Sequence, residues 1–292
     1  MPKLVWLNGT VSPLESAVTS VADHAHLYGD GLFEGIRIYA GRIFKLDEHL
    51  DRIYFGCNFL RYEMTISKPE LREIILDVCR QADIADGYIR LNITRGTGLG
   101  LDPKNIDRNP NVMVMISSLA LYPPEAYARG LDVVTVSLRT LPPDTLDPRL
   151  KCIGKYAGNI LAKFEANQRG AGEGLMLNQQ GQIAECTGDN IFFVIDGIVR
   201  TPHRSCGMLQ GITRNTVLEL CAEHQIPAIE EVLTPYDAFT ASEAFLTGTA
   251  AEVIPMVTLD GQPIGDGKPG PITQRIMELY RATTQTGVPF AL

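Results

Sequence analysis

The stretch Arg149-Leu-Lys-Cys-Ile-Gly-Lys-Tyr-Ala-Gly-Asn159 sets two lysines among small and apolar residues just ahead of a helix-like run. An amine held in apolar surroundings loses its preference for the charged form. The neutral amine is a nucleophile that can form a Schiff base with a carbonyl. Lys151 is the candidate for that chemistry. Taken alone, Lys151 and Lys155 would read as solvated flanks of a loop, since lysine is rarely buried without a partner, so the decision lies in what surrounds them.

On the near side, Asp132 to Leu138 reads as a strand and Leu141-Pro-Pro-Asp144 turns the chain toward the lysines. On the far side, Ile160, Leu161 and Phe164 suggest a helix over residues 156–168. Further on, Leu175 to Asn178 and Ile191 to Ile195 read as strands, and Asp196-Gly197 as a hairpin turn into Ile198 to Thr201. Between the first two lies Ile183-Ala-Glu-Cys-Thr-Gly-Asp-Asn190, where Glu185 reads by pattern as a solvated turn residue. Leu209-Gln-Gly-Ile-Thr-Arg-Asn215 then enters an amphipathic helix whose first turn carries Gly211, Ile212 and Thr213. Backbone N–H groups, the helix dipole and a threonine hydroxyl at such a terminus form a cup for an anion, phosphate above all. Phe245-Leu-Thr-Gly-Thr-Ala-Ala-Glu252 ends a strand in a second turn of small residues with amides to offer, and residues 271–281 read as a last helix.

Upstream, His24-Ala-His-Leu-Tyr-Gly-Asp-Gly-Leu-Phe-Glu-Gly-Ile-Arg37 combines glycines that permit close backbone approach with polar and aromatic side chains. Hairpins are signalled at Asn8-Gly9 and Ala40-Gly41. From Asp47 to Leu60, apolar residues at 50, 53, 54, 57 and 60 follow helical spacing, which leaves Arg52 off the stripe on a solvated face. Ser67-Lys-Pro-Glu70 is a capping-box pattern opening a second helix, and 87–94 and 112–117 read as strands around Arg95-Gly-Thr-Gly-Leu-Gly-Leu-Asp-Pro103. Two prolines in Tyr122-Pro-Pro-Glu-Ala-Tyr-Ala-Arg-Gly130 predict an extended linker. The expected organisation is a small α/β domain over 1–120, a linker over 121–131 and a larger domain over 132–292.

A chain of 292 residues with 45% apolar content can bury two cores. Its formal net charge of -8, without runs of like charge, argues against nucleic acid or an acidic membrane as partner. No apolar stretch is long enough to span a bilayer and the first residues lack a secretory pattern, so a cytoplasmic protein is expected. Six cysteines without a Cys-x-x-Cys pair read as reduced, buried thiols rather than a disulfide frame or a metal site. No Gly-x-Gly-x-x-Gly or P-loop pattern supports a nucleotide.

A nucleophilic lysine, an acid downstream and two phosphate-suited turns are the parts that pyridoxal 5'-phosphate requires. At this point the sequence resembles the class IV, fold-type IV pyridoxal-phosphate aminotransferases, and most closely the branched-chain amino acid aminotransferases. The resemblance rests on His24 to Arg37, Tyr88-Ile-Arg90, Glu185 with Thr187-Gly-Asp-Asn190, Gly211-Ile-Thr-Arg214 and Gly248-Thr-Ala-Ala-Glu252, which fall in family order along nearly the whole chain.

The resemblance implies a two-domain α/β (α+β) fold like that of D-amino acid aminotransferase, with the active site at the domain interface. It implies that Lys151 carries the cofactor and acts as catalytic base, that Glu185 keeps the pyridine nitrogen protonated, and that Tyr156 meets the phenolic oxygen. Arg52, Leu209, Gly211, Ile212, Thr213 and Thr249 would complete the cofactor site. Substrate would meet Tyr28, Phe33, Gly35, Arg37, Tyr88 and Arg90, with its carboxylate on amides at Thr249, Ala250 and Ala251. Branched-chain amino acids and 2-oxoglutarate are the implied substrates, and a homodimer or higher homo-oligomer the implied assembly.

The chain departs from the family pattern at Lys155, which stands where asparagine is common. Lys151 brings Tyr156 and Glu185 into family spacing without gaps, whereas Lys155 as the reactive amine would need a four-residue gap. D-amino acid aminotransferases, amine transaminases and aminodeoxychorismate lyases of the same class stay open as alternatives, as does a non-catalytic cofactor-binding protein. D-amino acid members usually follow Arg-Gly with a further arginine and histidine, where this chain has Leu99-Gly-Leu-Asp-Pro103.

Overall fold

The structure, a computed structural model, describes residues 4–107, 109–118 and 122–290. The boundary expected at 120 and the first linker residue at 121 lie outside the described residues. The chain forms two compact units. The first comprises Met1–Leu119, Lys151–Tyr156 and Thr284–Leu292, and the second Ala120–Leu150 and Ala157–Thr283.

The first unit is built on a seven-stranded sheet in the order Val288–Pro289, Arg42–Ile43, Gly31–Tyr39, Gly87–Thr94, Val112–Ser117, Leu4–Leu7, Thr10–Pro13. Every neighbour pairs antiparallel. Asn8 and Gly9 both take positive φ, 47° and 97°, which two-residue hairpin turns of the primed type demand. Helices Leu46–Phe59 and Lys68–Ala82 belong to the same unit. The second helix opens with the capping box its sequence announces: Ser67 accepts from the Glu70 N–H, and the Glu70 carboxylate accepts from the Ser67 N–H.

The second unit carries a nine-stranded mixed sheet. Its order is Ala228–Glu231, Ile198–Pro202, Asn190–Ile195, Glu243–Gly248, Glu252–Leu259, Leu131–Arg139, Glu173–Leu177, Ile183–Cys186, with Gln262–Pro263 beside Glu252–Leu259. Its core gathers Leu175, Ile191, Phe193, Leu246 and Ile254 with Leu131 and Val133. The segment expected to be an extended linker is in part helical. Pro124–Arg129 forms a short helix with proline in its first turn, where the missing N–H has no role, and Ala126 joins the core.

The six cysteines are buried and form no disulfide. Burial pushes the Cys57 and Cys79 thiols up to about 12, which keeps them protonated and unreactive at neutral pH. No helix among the described residues is long and apolar enough to cross a membrane.

Ser67→Ala removes the capping acceptor of an exposed helix end. The expected loss is about 1 kcal/mol in urea unfolding, and an unaltered midpoint would show that the cap is energetically silent.

Candidate functional site

In the first unit, strand alternation sorts the residues of the 24–37 motif onto two faces. Phe33, Gly35 and Arg37 point one way, and their antiparallel partners are Asn92, Arg90 and Tyr88 respectively. The Arg90 guanidinium lies 3.7 Å from the Phe33 ring centroid, and its Nε donates to Asn92 Oδ1 at 2.8 Å. A Cβ on Gly35 would collide with the Tyr88 hydroxyl oxygen, so only glycine leaves that phenol its place. Arg37 lies over the Tyr39 ring. Tyr28 is tied elsewhere, its ring edge-on to His24 and its hydroxyl accepting from the Gly100 N–H.

Lys151 reaches this face through its backbone. Its carbonyl accepts from the Phe33 N–H at 3.1 Å. Three residues later, Gly154 N–H donates to the Gly29 carbonyl at 3.1 Å. Gly29 has φ of 70°, and a Cβ there would lie 2.8 Å from Gly154 Cα, so the approach demands glycine. Lys151 Nζ donates to the Tyr156 hydroxyl at 3.0 Å and lies 4.7 Å from the Phe33 ring centroid. Phe33 and Tyr156 meet edge to face at 4.7 Å. Amine, phenol and apolar ring are therefore brought together. Lys155 is buried in the 3-10 turn Ile153–Lys155, its Nζ 6.0 Å from the Tyr156 ring centroid.

Arg52 is not on a solvated face. Its side chain is 17% exposed, and its Nε and Nη2 each donate at 2.7 Å to the two oxygens of Glu34, which is fully buried. His49 Nδ1 lies 2.7 Å from Glu34 Oε2. The carboxylate can only accept, so Nδ1 carries the hydrogen. Burial opposes ionisation of Glu34, but the charges of Arg52 and His49 outweigh it and hold the carboxyl down at about 2. For His49 burial dominates and lowers the imidazole below its usual value. Arg52 is likewise penalised by burial and restored by Glu34, which raises it.

The stripe at 50, 53, 54, 57 and 60 misses this because it treats His49 as polar surface. His49 is buried beside Leu50, and Arg52, three residues on, borders the same face. Glu34 is legible in part, as a lone acid in the apolar run Leu32 to Ile38.

In the second unit, Glu185 is not a turn residue. It stands on the strand Ile183–Cys186 opposite Met176, is buried, and its Oε2 accepts from the Leu209 N–H at 2.8 Å. Gly211 is the N-cap of the helix Ile212–Glu223, in whose first turn Ile212 and Thr213 are buried. Thr249, Ala250 and Ala251 form the turn that joins Glu243–Gly248 to Glu252–Leu259, with Gly248 paired to Glu252. A buried carboxylate braced by a main-chain N–H and two amide-bearing turns thus occur in one unit. Asp189 and Asn190, to which pattern alone assigns no role, are buried at the start of the strand between those turns.

The lysine and phenol thus lie in one unit, and the buried carboxylate and the two turns in the other. The amino-transferase class IV family profile matches residues 31–259, and this chain belongs to that family. A protein of Methanocaldococcus jannaschii, provisionally named a branched-chain-amino-acid aminotransferase, is 41% identical over 278 residues, 95% of each chain. The branched-chain amino acid aminotransferase of Escherichia coli superposes with a TM-score of 0.93 at 32% identity, covering 97% of this chain and 94% of that one. The holo-form branched-chain amino acid aminotransferase of Thermobaculum terrenum gives a TM-score of 0.89 at 30% identity, covering 98% and 94%.

Arg52→Ala strands the Glu34 carboxylate in the interior. At neutral pH the expected loss is about 3–5 kcal/mol of unfolding free energy. Glu34 is depressed from 4.5 to about 2, so its stabilisation is complete above pH 4.5 and is lost as pH falls toward 2. The gap between wild type and variant in denaturant melts should therefore shrink over that window. A gap that stays constant would show that the ion pair is not its source.

Proposed function

We infer that this chain is a pyridoxal-phosphate-dependent branched-chain amino acid aminotransferase. It moves the amino group of L-leucine, L-isoleucine or L-valine reversibly to 2-oxoglutarate. The observation that carries this reading is the Lys151 amine bonded to the Tyr156 hydroxyl at 3.0 Å beside Phe33, in a chain of the class IV family whose relatives bear that activity in their names.

The donor set fits the cofactor. An amine in aromatic company suits an aldehyde, a buried carboxylate suits a protonated pyridine nitrogen, and the N–H groups of a helix start without a side-chain cap suit a phosphate. When bound, the cofactor supplies a covalent anchor and a sink for the charge left on the substrate α-carbon.

The protein's own residues do the rest. Lys151 Nζ would hold the cofactor through its aldehyde and, as a free amine, would serve as general base and acid toward the substrate α-proton. Tyr156 would keep that amine oriented and meet the cofactor's phenolic oxygen. Glu185, fixed by the Leu209 N–H, would keep the pyridine nitrogen protonated. In this reading Arg52, Gly211, Ile212, Thr213 and Thr249 would serve the phosphate, and Leu209 would complete the cofactor site. Tyr28, Phe33, Gly35, Arg37, Tyr88 and Arg90 receive the substrate, whose carboxylate meets the amides of Thr249, Ala250 and Ala251. Because two half-reactions share one amine, kinetics are ping-pong.

The protein acts in the cytoplasm in this reading, to which six buried, unpaired thiols lend support. It works as a homodimer or a larger homo-oligomer. Ile160, Leu161 and Phe164 are each at least 60% exposed on the helix Tyr156–Gln168, an apolar stripe suited to a second copy. Size-exclusion chromatography with light scattering should give at least twice 32.0 kDa, and a monomer at micromolar concentration would refute the assembly.

Lys151→Ala should abolish both the borohydride-trapped cofactor adduct and the transfer from L-leucine to 2-oxoglutarate, with turnover down by about 10³ or more. An adduct that persists in Lys151→Ala and vanishes in Lys155→Ala would move the chemistry to the other lysine. Wild-type protein that takes up the cofactor colour without bleaching on L-leucine would be a binder, not an enzyme.

A further inference from the structure

The peptide of Leu209 is held at both ends by buried side chains. Its N–H donates to Glu185 Oε2 at 2.8 Å, and its carbonyl accepts from Asn190 Nδ2 at 2.8 Å. The same Asn190 amide packs against the helix entrance, since a Cβ on Gly211 would collide with Asn190 Oδ1. Asn190 is 5% exposed and opens the strand Asn190–Ile195, where it pairs with Thr247. Its neighbour Asp189 stands under the other turn in the same manner, its Oδ1 filling the space that a Cβ on Gly248 would need. One strand end therefore underlies both turns that offer backbone amides.

We propose that Asn190 is a positioning residue for phosphate. By bonding the Leu209 carbonyl and bearing on Gly211, it fixes the path of residues 209–211, so that the first N–H groups of the helix Ile212–Glu223 converge on one anion. This rests on the reading of residues 211–213 as the cofactor's phosphate turn. Asn190 does not itself touch the phosphate in this scheme.

Two physical arguments support it. Free amides at a helix start bind an anion well only if the residues entering the helix are held, because ordering them at the moment of binding subtracts from affinity. A buried asparagine that donates to a carbonyl supplies that order in advance, and its removal leaves the Leu209 carbonyl short of its partner. Glycine at 211 follows from the same packing, since any side chain there would displace the Asn190 amide.

The test compares two probes on the full chain freed of cofactor: pyridoxal 5'-phosphate, and pyridoxal, the same aldehyde without the phosphate. Dissociation constants are read from absorbance titrations, and inorganic phosphate is used as a competitor. For Asn190→Ala the expected result is a loss of roughly tenfold to a hundredfold in affinity for pyridoxal 5'-phosphate. Pyridoxal affinity should be nearly unchanged and competition by inorganic phosphate weakened. A merely structural asparagine would lower both aldehydes alike or neither.

Thr213→Ala separates the two ways of failing. If it reduces the preference for the phosphorylated probe while Asn190→Ala does not, the positioning role is overturned and the phosphate turn stands. If neither variant alters that preference, the turn itself has been misread and the proposal falls with it. Should Asn190→Ala not fold, Asn190→Ser, which keeps a smaller donor, is measured by the same ratio and judged by the same outcomes.

Discussion

The hydrogen bond from the Phe33 N–H to the Lys151 carbonyl, 3.1 Å long, is the constraint on which the placement of the Lys151 side chain rests. A lysine has a long flexible stem, and an amine that wanders by an ångström is a poor base. Here the root of the side chain is bonded to a strand, and Gly154 is bonded to Gly29 three residues further along. One such bond contributes only about 1 kcal/mol to stability. Its larger effect is placement: it sets Lys151 beside Phe33, and the pairing of Phe33 with Asn92 then settles where Arg90 and Tyr88 stand.

Charge is handled differently in the two sets of residues. Glu34 is neutralised by a guanidinium on both oxygens, with the His49 imidazole as a third partner. A carboxyl held at about 2 cannot take a proton at neutral pH, which removes Glu34 from consideration as a base and leaves it as the counter-ion that keeps Arg52 charged and fixed. Glu185 is instead braced on one oxygen by a backbone N–H. The two buried acids thus differ in a donor that faces them: a guanidinium for Glu34 and a backbone N–H for Glu185.

What the sequence reveals follows the range of the interaction involved. Turn and cap signals are local, and Asn8-Gly9 and Ser67 with Glu70 form the structures their residues dictate. Strand alternation is nearly as local, so 87–94 and 112–117 are legible from their own residues. Arg52 is misplaced by pattern because its surroundings depend on Glu34, eighteen residues away on a strand, and on a histidine that passes for surface. Glu185 resembles a turn residue because its strand has only four residues and runs at once into Thr187-Gly-Asp. Proline at 123 and 124 suggests an extended linker, yet Pro124 begins a helix, for local propensity yields to the burial of Ala126. Asn190 gives no local signal of its bond, since its partner carbonyl lies nineteen residues on.

The helix Tyr156–Gln168 shows where periodicity informs and where it misleads. Ile160, Leu161 and Phe164 correctly indicate a helix, yet they are its exposed residues, and the buried ones include Ala162 and Ala166. Those alanines pack with Val134, Val136 and Met176 of the sheet. The inner face needs small residues because helix and strands approach closely there, so the large apolar side chains are left outside. Hydrophobic spacing therefore identifies the element while assigning the wrong face to the chain's own core. An apolar stripe that its own fold does not cover lowers its free energy only by removal from water, which is the reason that spacing alone assigns such residues to the interior.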